Sequence, residues 1–177
     1  MSEAARGPTS TLSVLAERAR SLVEEGVLCG IIGAAAVAVF FLFIDSLQAR
    51  PLWTPSLLGS VLFLGQKVTD VAGVSYTMVF AYTGLHVLLF LLAGVVVAWM
   101  VSQFERNPQF GPILVLIFLL VEAVIFGFEV TLVPALVGAL GAGIVAVANL
   151  LSVGAMFWYL LRRHPEARQR LRQSWQD

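Results

Sequence analysis

Four ionisable side chains sit inside long apolar runs of this chain: Asp45, His86, Glu122 and Glu129. Tyr82, Thr83, Asn149 and Ser152 stand near them as neutral hydrogen-bonding groups. An ionisable residue in an apolar span is costly to keep, and is a functional candidate by default. Helix rise places Glu122 about 15 Å and Asn149 about 18 Å into their runs, both near a bilayer midplane. His86 falls about 10 Å and Glu129 about 6 Å from the outer face, with Asp45 at the outer end of its run. Glu122 and Glu129 are seven apart and share a helix face, as do Tyr82 and Thr83 with His86 one turn away. An intramembrane polar cluster of Asp45, Tyr82, His86, Glu122, Glu129 and Asn149 is therefore expected, and Glu122 is placed to bond Asn149 across neighbouring helices.

Three chemistries compete for that cluster. The first is packing: the groups pair with each other or with backbone and set helix geometry, at about 0.6 kcal/mol per interhelical bond. The second is a proton or ion path, since glutamate and histidine relays occur in pumps and transporters. Against it, the chain shows no inverted repeat and no span broken by glycine and proline. The third is a metal site. A di-iron bundle requires Glu-x-x-His on two helices, but Ile125 and Leu132 follow Glu122 and Glu129 at that spacing. Two-histidine haem ligation fails too, because His164, the second of two histidines, lies past the last apolar run. No phosphate loop, nucleophile elbow or zinc-protease helix is present. The glycine-rich stretch 138–143 opens a span and suits close packing. The expectation is a chain without catalytic residues, metal or cofactor.

The elements that carry these residues follow from composition. Of 177 residues, 59% are hydrophobic and 12% charged; soluble domains have about 45–50% and about 25%. The net charge is zero, which gives no reason to expect nucleic acid as a partner. A spanning helix needs about 20 apolar residues, and four stretches qualify: 27–47, 79–101, 112–133 and 137–161. Residues 54–65 are too short to span and read as an interfacial or re-entrant helix, with Thr54 as N-cap and Pro55 at the first turn. The fold class expected is all-α: an integral membrane four-helix bundle, one domain over 1–177, with that short helix in an extracytoplasmic loop, 48–78. The first apolar run is too long for a signal peptide and follows Cys29, so neither a cleaved leader nor a lipoprotein site is expected. One cysteine allows no intrachain disulfide.

Direction comes from arginine and lysine. Nine of the eleven lie in the N-terminal segment, the loop after span two, or the tail; only Arg50 and Lys67 lie on the other side. Basic loops stay cytosolic, so both termini are expected inside. Residues 9–25 read as a cytosolic amphipathic helix, with Leu12, Leu15, Ala19, Leu22 and Val23 at helical spacing. The basic tail 162–177 carries Arg162, Arg163, Arg168, Arg170 and Arg172, which set topology and suit anionic headgroups. Arg50 is placed to pair with Asp45, and Trp53 to anchor at the interface. Small residues mark the expected helix contacts: Gly26, Gly30, Gly33, Ala34 and Ala38 in span one, Gly94 and Ala98 in span two, and Ala139, Ala142, Gly143, Ala146 and Gly154 in span four. Expected partners are the bilayer, a second copy or another membrane subunit.

Several short motifs carry a resemblance. Asp45…Arg50-Pro51-Leu52…Thr54-Pro55…Leu58-Gly59, then Tyr82-Thr83…His86, then Arg162-Arg163-His164-Pro165, resemble a group of uncharacterised bacterial inner-membrane proteins. The likeness covers most of the chain and implies a four-helix membrane protein of the inner membrane. It implies no activity.

Overall fold

The computed structural model describes residues 8–107 and 141–165, with Leu116 and Gly138 besides. Among these the chain is all-helical: α1 is Pro8–Leu47, α2 Trp53–Leu64, α3 Tyr76–Arg106 and α4 Ala142–Arg163, with a single 3-10 turn at Val68–Asp70. α1, α3 and α4 contain three apolar stretches long enough to cross a membrane: Leu12–Leu47, Tyr76–Arg106 and Gly143–Arg163. They carry the first, second and fourth expected spans. The third, 112–133, lies outside the described residues, and Glu122 and Glu129 with it.

α1 is one unbroken helix of 40 residues, about 60 Å long and twice the thickness of a hydrocarbon core. The amphipathic segment and the first span are thus continuous, with no turn between them. Nothing in 8–47 breaks the helix, since Pro8 occupies its first position, where a missing N–H costs nothing.

α1 is the common partner. It packs along α3 and α4, while α2 packs chiefly on α3. Without a hydrophobic drive between helices in lipid, close approach depends on small side chains. Gly26, Gly30 and Gly94 provide it. A Cβ on Gly94 would collide with the Gly26 carbonyl and the Gly30 backbone, and a Cβ on Gly30 with the Phe90 carbonyl. Gly33 gives room to Met156 of α4. Next to these contacts lies a small core of Cys29, Ala98, Met156 and Leu160, flanked by Phe90, Val97, Val101 and Tyr159. Large apolar side chains instead point outward along every long helix, among them Ile31, Val39, Phe43, Phe80, Leu88, Leu92 and Leu150. That inversion suits a chain whose solvent is lipid.

At the α2 end, Gly65 ends the helix in the left-handed region at φ 64°, and its N–H is satisfied by α2 carbonyls, a conformation glycine adopts without a Cβ penalty. Gly59 lets α2 rest against the Met78 carbonyl of α3. Leu57 and Val71 close a second small core with Trp53, Leu58, Val61 and Val68.

The glycine contacts are testable. Gly94→Ala and Gly30→Ala should each lower stability in detergent by about 1–3 kcal/mol through overpacking. Gly84→Ala, where an added Cβ meets open space, should be neutral or slightly stabilising. Thermal unfolding of the purified variants measures both.

Candidate functional site

Polar side chains meet α1 at three levels. At the middle level two helices bond consecutive α1 carbonyls. His86 Nε2 of α3 donates to the Ala34 carbonyl at 3.3 Å, since a carbonyl only accepts. Ser152 Oγ of α4 donates to the Gly33 carbonyl at 3.3 Å. The imidazole is half-buried between Tyr82, stacked at 5.9 Å, and Phe90, at 4.7 Å. Cys29, one turn away and fully buried, directs its thiol at the Met156 carbonyl at 4.0 Å. Asn149, one turn from Ser152, is exposed rather than gathered with these groups.

Asp45 stands at the outer level, eleven residues beyond Ala34, or about 16 Å along the helix. It is therefore not in direct reach of His86; Glu122 and Glu129, expected in the same cluster, lie outside the described residues. Its carboxylate, 3% exposed, accepts the Thr54 N–H and the Thr54 hydroxyl, each at 2.7 Å. A carboxylate on the first N–H groups of a helix meets both unsatisfied donors and the positive end of the helix dipole. Asp45 of α1 thus caps α2. Thr54 is not the cap; Leu52 holds the N-cap position without a side-chain bond. The expected Asp45–Arg50 pair is also corrected. The Arg50 guanidinium donates to Gln48 at 3.1 Å and lies 5.0 Å from the Trp53 ring centre, while its backbone N–H donates to the Asp45 carbonyl at 2.9 Å. Thr54 had a nearer claim because the turn brings its backbone to the carboxylate. That turn places Ala49 and Leu52 in the left-handed region, at φ 56° and 66°, a cost of about 1–3 kcal/mol each that the surrounding bonds must hold. The relay of caps continues: the fully buried Ser56 of α2 accepts the N–H of Ser75, the residue that opens α3, at 2.8 Å.

The third level was not legible as a site. His164, immediately after α4, bonds two carboxylates at once: Nδ1 to Glu105 of α3 at 2.8 Å and Nε2 to Glu25 of α1 at 2.7 Å. The three side chains are only 18–25% exposed. An ionised carboxylate only accepts, so two bonds require two protons shared among the three groups. This clasp ties the ends of α3 and α4 to the middle of α1. Its signal in the sequence was an acidic residue or histidine beside each apolar run's end on the arginine-rich side. The arginines nearby cover aromatic rings: Arg162 lies 3.9 Å from the Trp158 ring centre and Arg163 5.9 Å from Tyr159. Arg168, Arg170 and Arg172 lie outside the described residues.

Among the described residues no three histidine, cysteine, aspartate or glutamate side chains converge on a point that would hold a metal. In the clasp the carboxylates bind opposite ring nitrogens. Among the described residues a shallow apolar cleft of about 440 Å³ lies between α1 and α4, lined by Ala36, Val39, Phe40, Phe43, Leu151 and Ala155. These features define an α-helical protein with membrane-type helices. Compared with protein-family models, curated proteins and solved structures, the chain matches none.

Two outcomes check this geometry. Asp45→Ala removes the α2 cap, worth about 0.5–2 kcal/mol; trypsin cleavage at Arg50 or Lys67 should speed up by about 2- to 30-fold if it follows local opening. In a double-mutant cycle, His164→Ala and Glu25→Gln should show about 1 kcal/mol of coupling in thermal unfolding, because the bond is charge-assisted but partly exposed.

Proposed function

We propose that the chain is a four-span structural or interaction subunit of the bacterial inner membrane, and not an enzyme. One observation carries the reading: His86 and Ser152 at the middle level and Asp45 at the outer level are each bonded to a neighbouring element. Polar groups spent on interhelical ties specify packing. An apolar cleft between α1 and α4 supports the same reading. It leaves a protein whose working surface is its lipid-facing exterior, available to lipid, a second copy or another membrane subunit.

Connectivity supports the fourth span. Glu25, Glu105 and His164 meet, so α3 and α4 end at the side where α1 carries Glu25. A fourth span between Asn107 and Gly141 would connect the end of α3 to the start of α4. The apolar stretch 112–133 is long enough for that crossing. The clasp supports a layout with the start of α1 and the end of α4 on one side, and the arginine distribution favours the cytosol as that side. Arg162 and Arg163, beside Trp158 and Tyr159, suit the anionic headgroups of that leaflet.

A second reading is a small proton- or ion-coupled carrier using His86, Glu122 and Glu129. The observation in its favour is that His86 Nδ1 has no partner among the described residues. Reconstituted liposomes decide between the two. The subunit reading expects proton and cation flux equal to that of protein-free vesicles, and recovery of a partner or a second copy after crosslinking in membranes. Flux that disappears in both His86→Ala and Glu122→Gln would replace it with the carrier; an uncrosslinked monomer without flux would remove both.

A further inference from the structure

The clasp makes more bonds than a neutral imidazole can donate. His164 Nδ1 lies 2.8 Å from a Glu105 oxygen, and Nε2 lies 2.7 Å from a Glu25 oxygen. A neutral imidazole has one N–H and one bare lone pair, and a carboxylate has lone pairs only. The closed geometry therefore has two protonation patterns. Either the ring carries both protons and faces two carboxylates, or it carries one and a carboxylic acid supplies the other. Both patterns hold two protons. With one proton removed to the surrounding water, a ring lone pair faces a carboxylate oxygen across the same short distance, and attraction becomes repulsion.

We propose that the clasp is a proton-operated latch: with two protons it holds the end of α4 against α1 and α3, and with one it releases that end. α4 is the element set to move. α1 and α3 are joined by bare backbone at Gly26, Gly30 and Gly94, a contact that no proton alters. α4 packs on α1 and touches α3 only slightly. Beyond Met156 and Leu160, which lie in the small core, its end is tied to both neighbours through His164. Tyr159, one turn earlier, makes the closed form easier to leave. Its hydroxyl is buried with no hydrogen-bond partner among the described residues, which is destabilising, and release lets water reach it. The sign follows from the proton count. The closed form binds one proton more than the released form, in which the ring is neutral and both carboxylates are ionised. Raising the pH therefore favours release, by at most about tenfold per pH unit for a single proton.

The surroundings suit control by the medium. The three side chains are partly exposed, so protons reach them from water. Around them α1 adds Arg18, which is exposed, Glu24, bonded to Arg20 at 2.8 Å, and Cys29, one turn into the span with its thiol toward the Met156 carbonyl. α3 adds Arg106, also exposed. α4 adds Arg162 and Arg163, which lie over Trp158 and Tyr159. Arginine keeps its charge throughout, while histidine is the side-chain type that changes charge near neutral pH. On the topology proposed above the latch reads cytosolic pH. Its operation needs only the three clasped groups, and stands whether or not the chain joins a larger complex.

Spin labels test the latch in the full-length protein in lipid nanodiscs. Asn107→Cys and Phe157→Cys, both at exposed positions, carry the labels in a Cys29→Ala background, and pulsed electron resonance measures their separation. One distance is expected at about pH 6. At about pH 9 a second, longer distance should appear, with the ratio of long to short at least about tenfold higher and reversible on return. Glu25→Gln separates a latch from an ordinary tie. An amide N–H can donate to the bare ring nitrogen, so this variant should keep the short distance at both pH values. Glu105→Gln should do the same at the other nitrogen, and His164→Ala should show the long distance at both. A tie without a switch predicts a weaker clasp in the glutamine variants at every pH, so a long distance in both of them at about pH 6 overturns the latch. An unchanged wild-type distribution overturns it too. So does a pH shift that survives in both glutamine variants, because another group then titrates.

Discussion

Close backbone contact between α1 and α3 is the constraint on which the other arrangements rest. Gly26 and Gly30 meet Gly94 with no room for a Cβ. In water such a contact would be secondary to burial of leucine and phenylalanine. In lipid those side chains gain nothing by turning inward, so van der Waals contact between bare backbones does the holding. This explains the composition of the core, which is small and built from cysteine, alanine, methionine and one leucine, while bulky apolar residues face outward.

Once the helices are that close, polar side chains reach backbone carbonyls on the next helix. His86 and Ser152 do so at adjacent α1 residues. A helical carbonyl has a second lone pair to offer, so these bonds cost no ladder bond. The same economy operates at the outer end, where Asp45 caps α2 and Ser56 meets the start of α3. Helix ends are the places where an α-helix cannot satisfy its own donors, and here a side chain from the preceding helix reaches the start of α2 and of α3. At the opposite end the Glu25–His164–Glu105 clasp uses charge instead, near the expected boundary with water, where ionised groups are less costly than at the midplane.

The chemistry of these groups bears directly on what the protein is. A histidine, an aspartate and several hydroxyls among apolar residues suggest a path or a reactive centre when read as a set. Placed in the fold they separate into levels about 14–16 Å apart along α1, each with local partners. That distribution favours fastening over transfer. Among the described residues it leaves an apolar cleft between α1 and α4 and an apolar exterior on the periphery.

How much of this was legible follows from the range of each interaction. Long apolar runs, proline at helix starts and small residues at four-residue steps are local patterns, so α1, α3, α4 and the contact of Gly26 and Gly30 with Gly94 could be read from residue spacing, whereas Gly143 and Gly154, expected at contacts too, meet no described neighbour. The short helix after Arg50 was legible for the same reason, to within a residue at each end. Which polar groups would meet was not. Asp45 and Arg50 are neighbours in sequence, yet the turn through Ala49 and Leu52 delivers Thr54 to the carboxylate instead. Glu25, Glu105 and His164 lie 80 and 59 residues apart along the chain, and no spacing rule links them. By itself the sequence determined that the chain is helical and suited to lipid, because hydrocarbon thickness and backbone hydrogen bonding act on each segment separately. Only the tertiary structure decided which side chains become partners, because that depends on the rotation and depth of one helix against another, which close packing sets jointly for all of them.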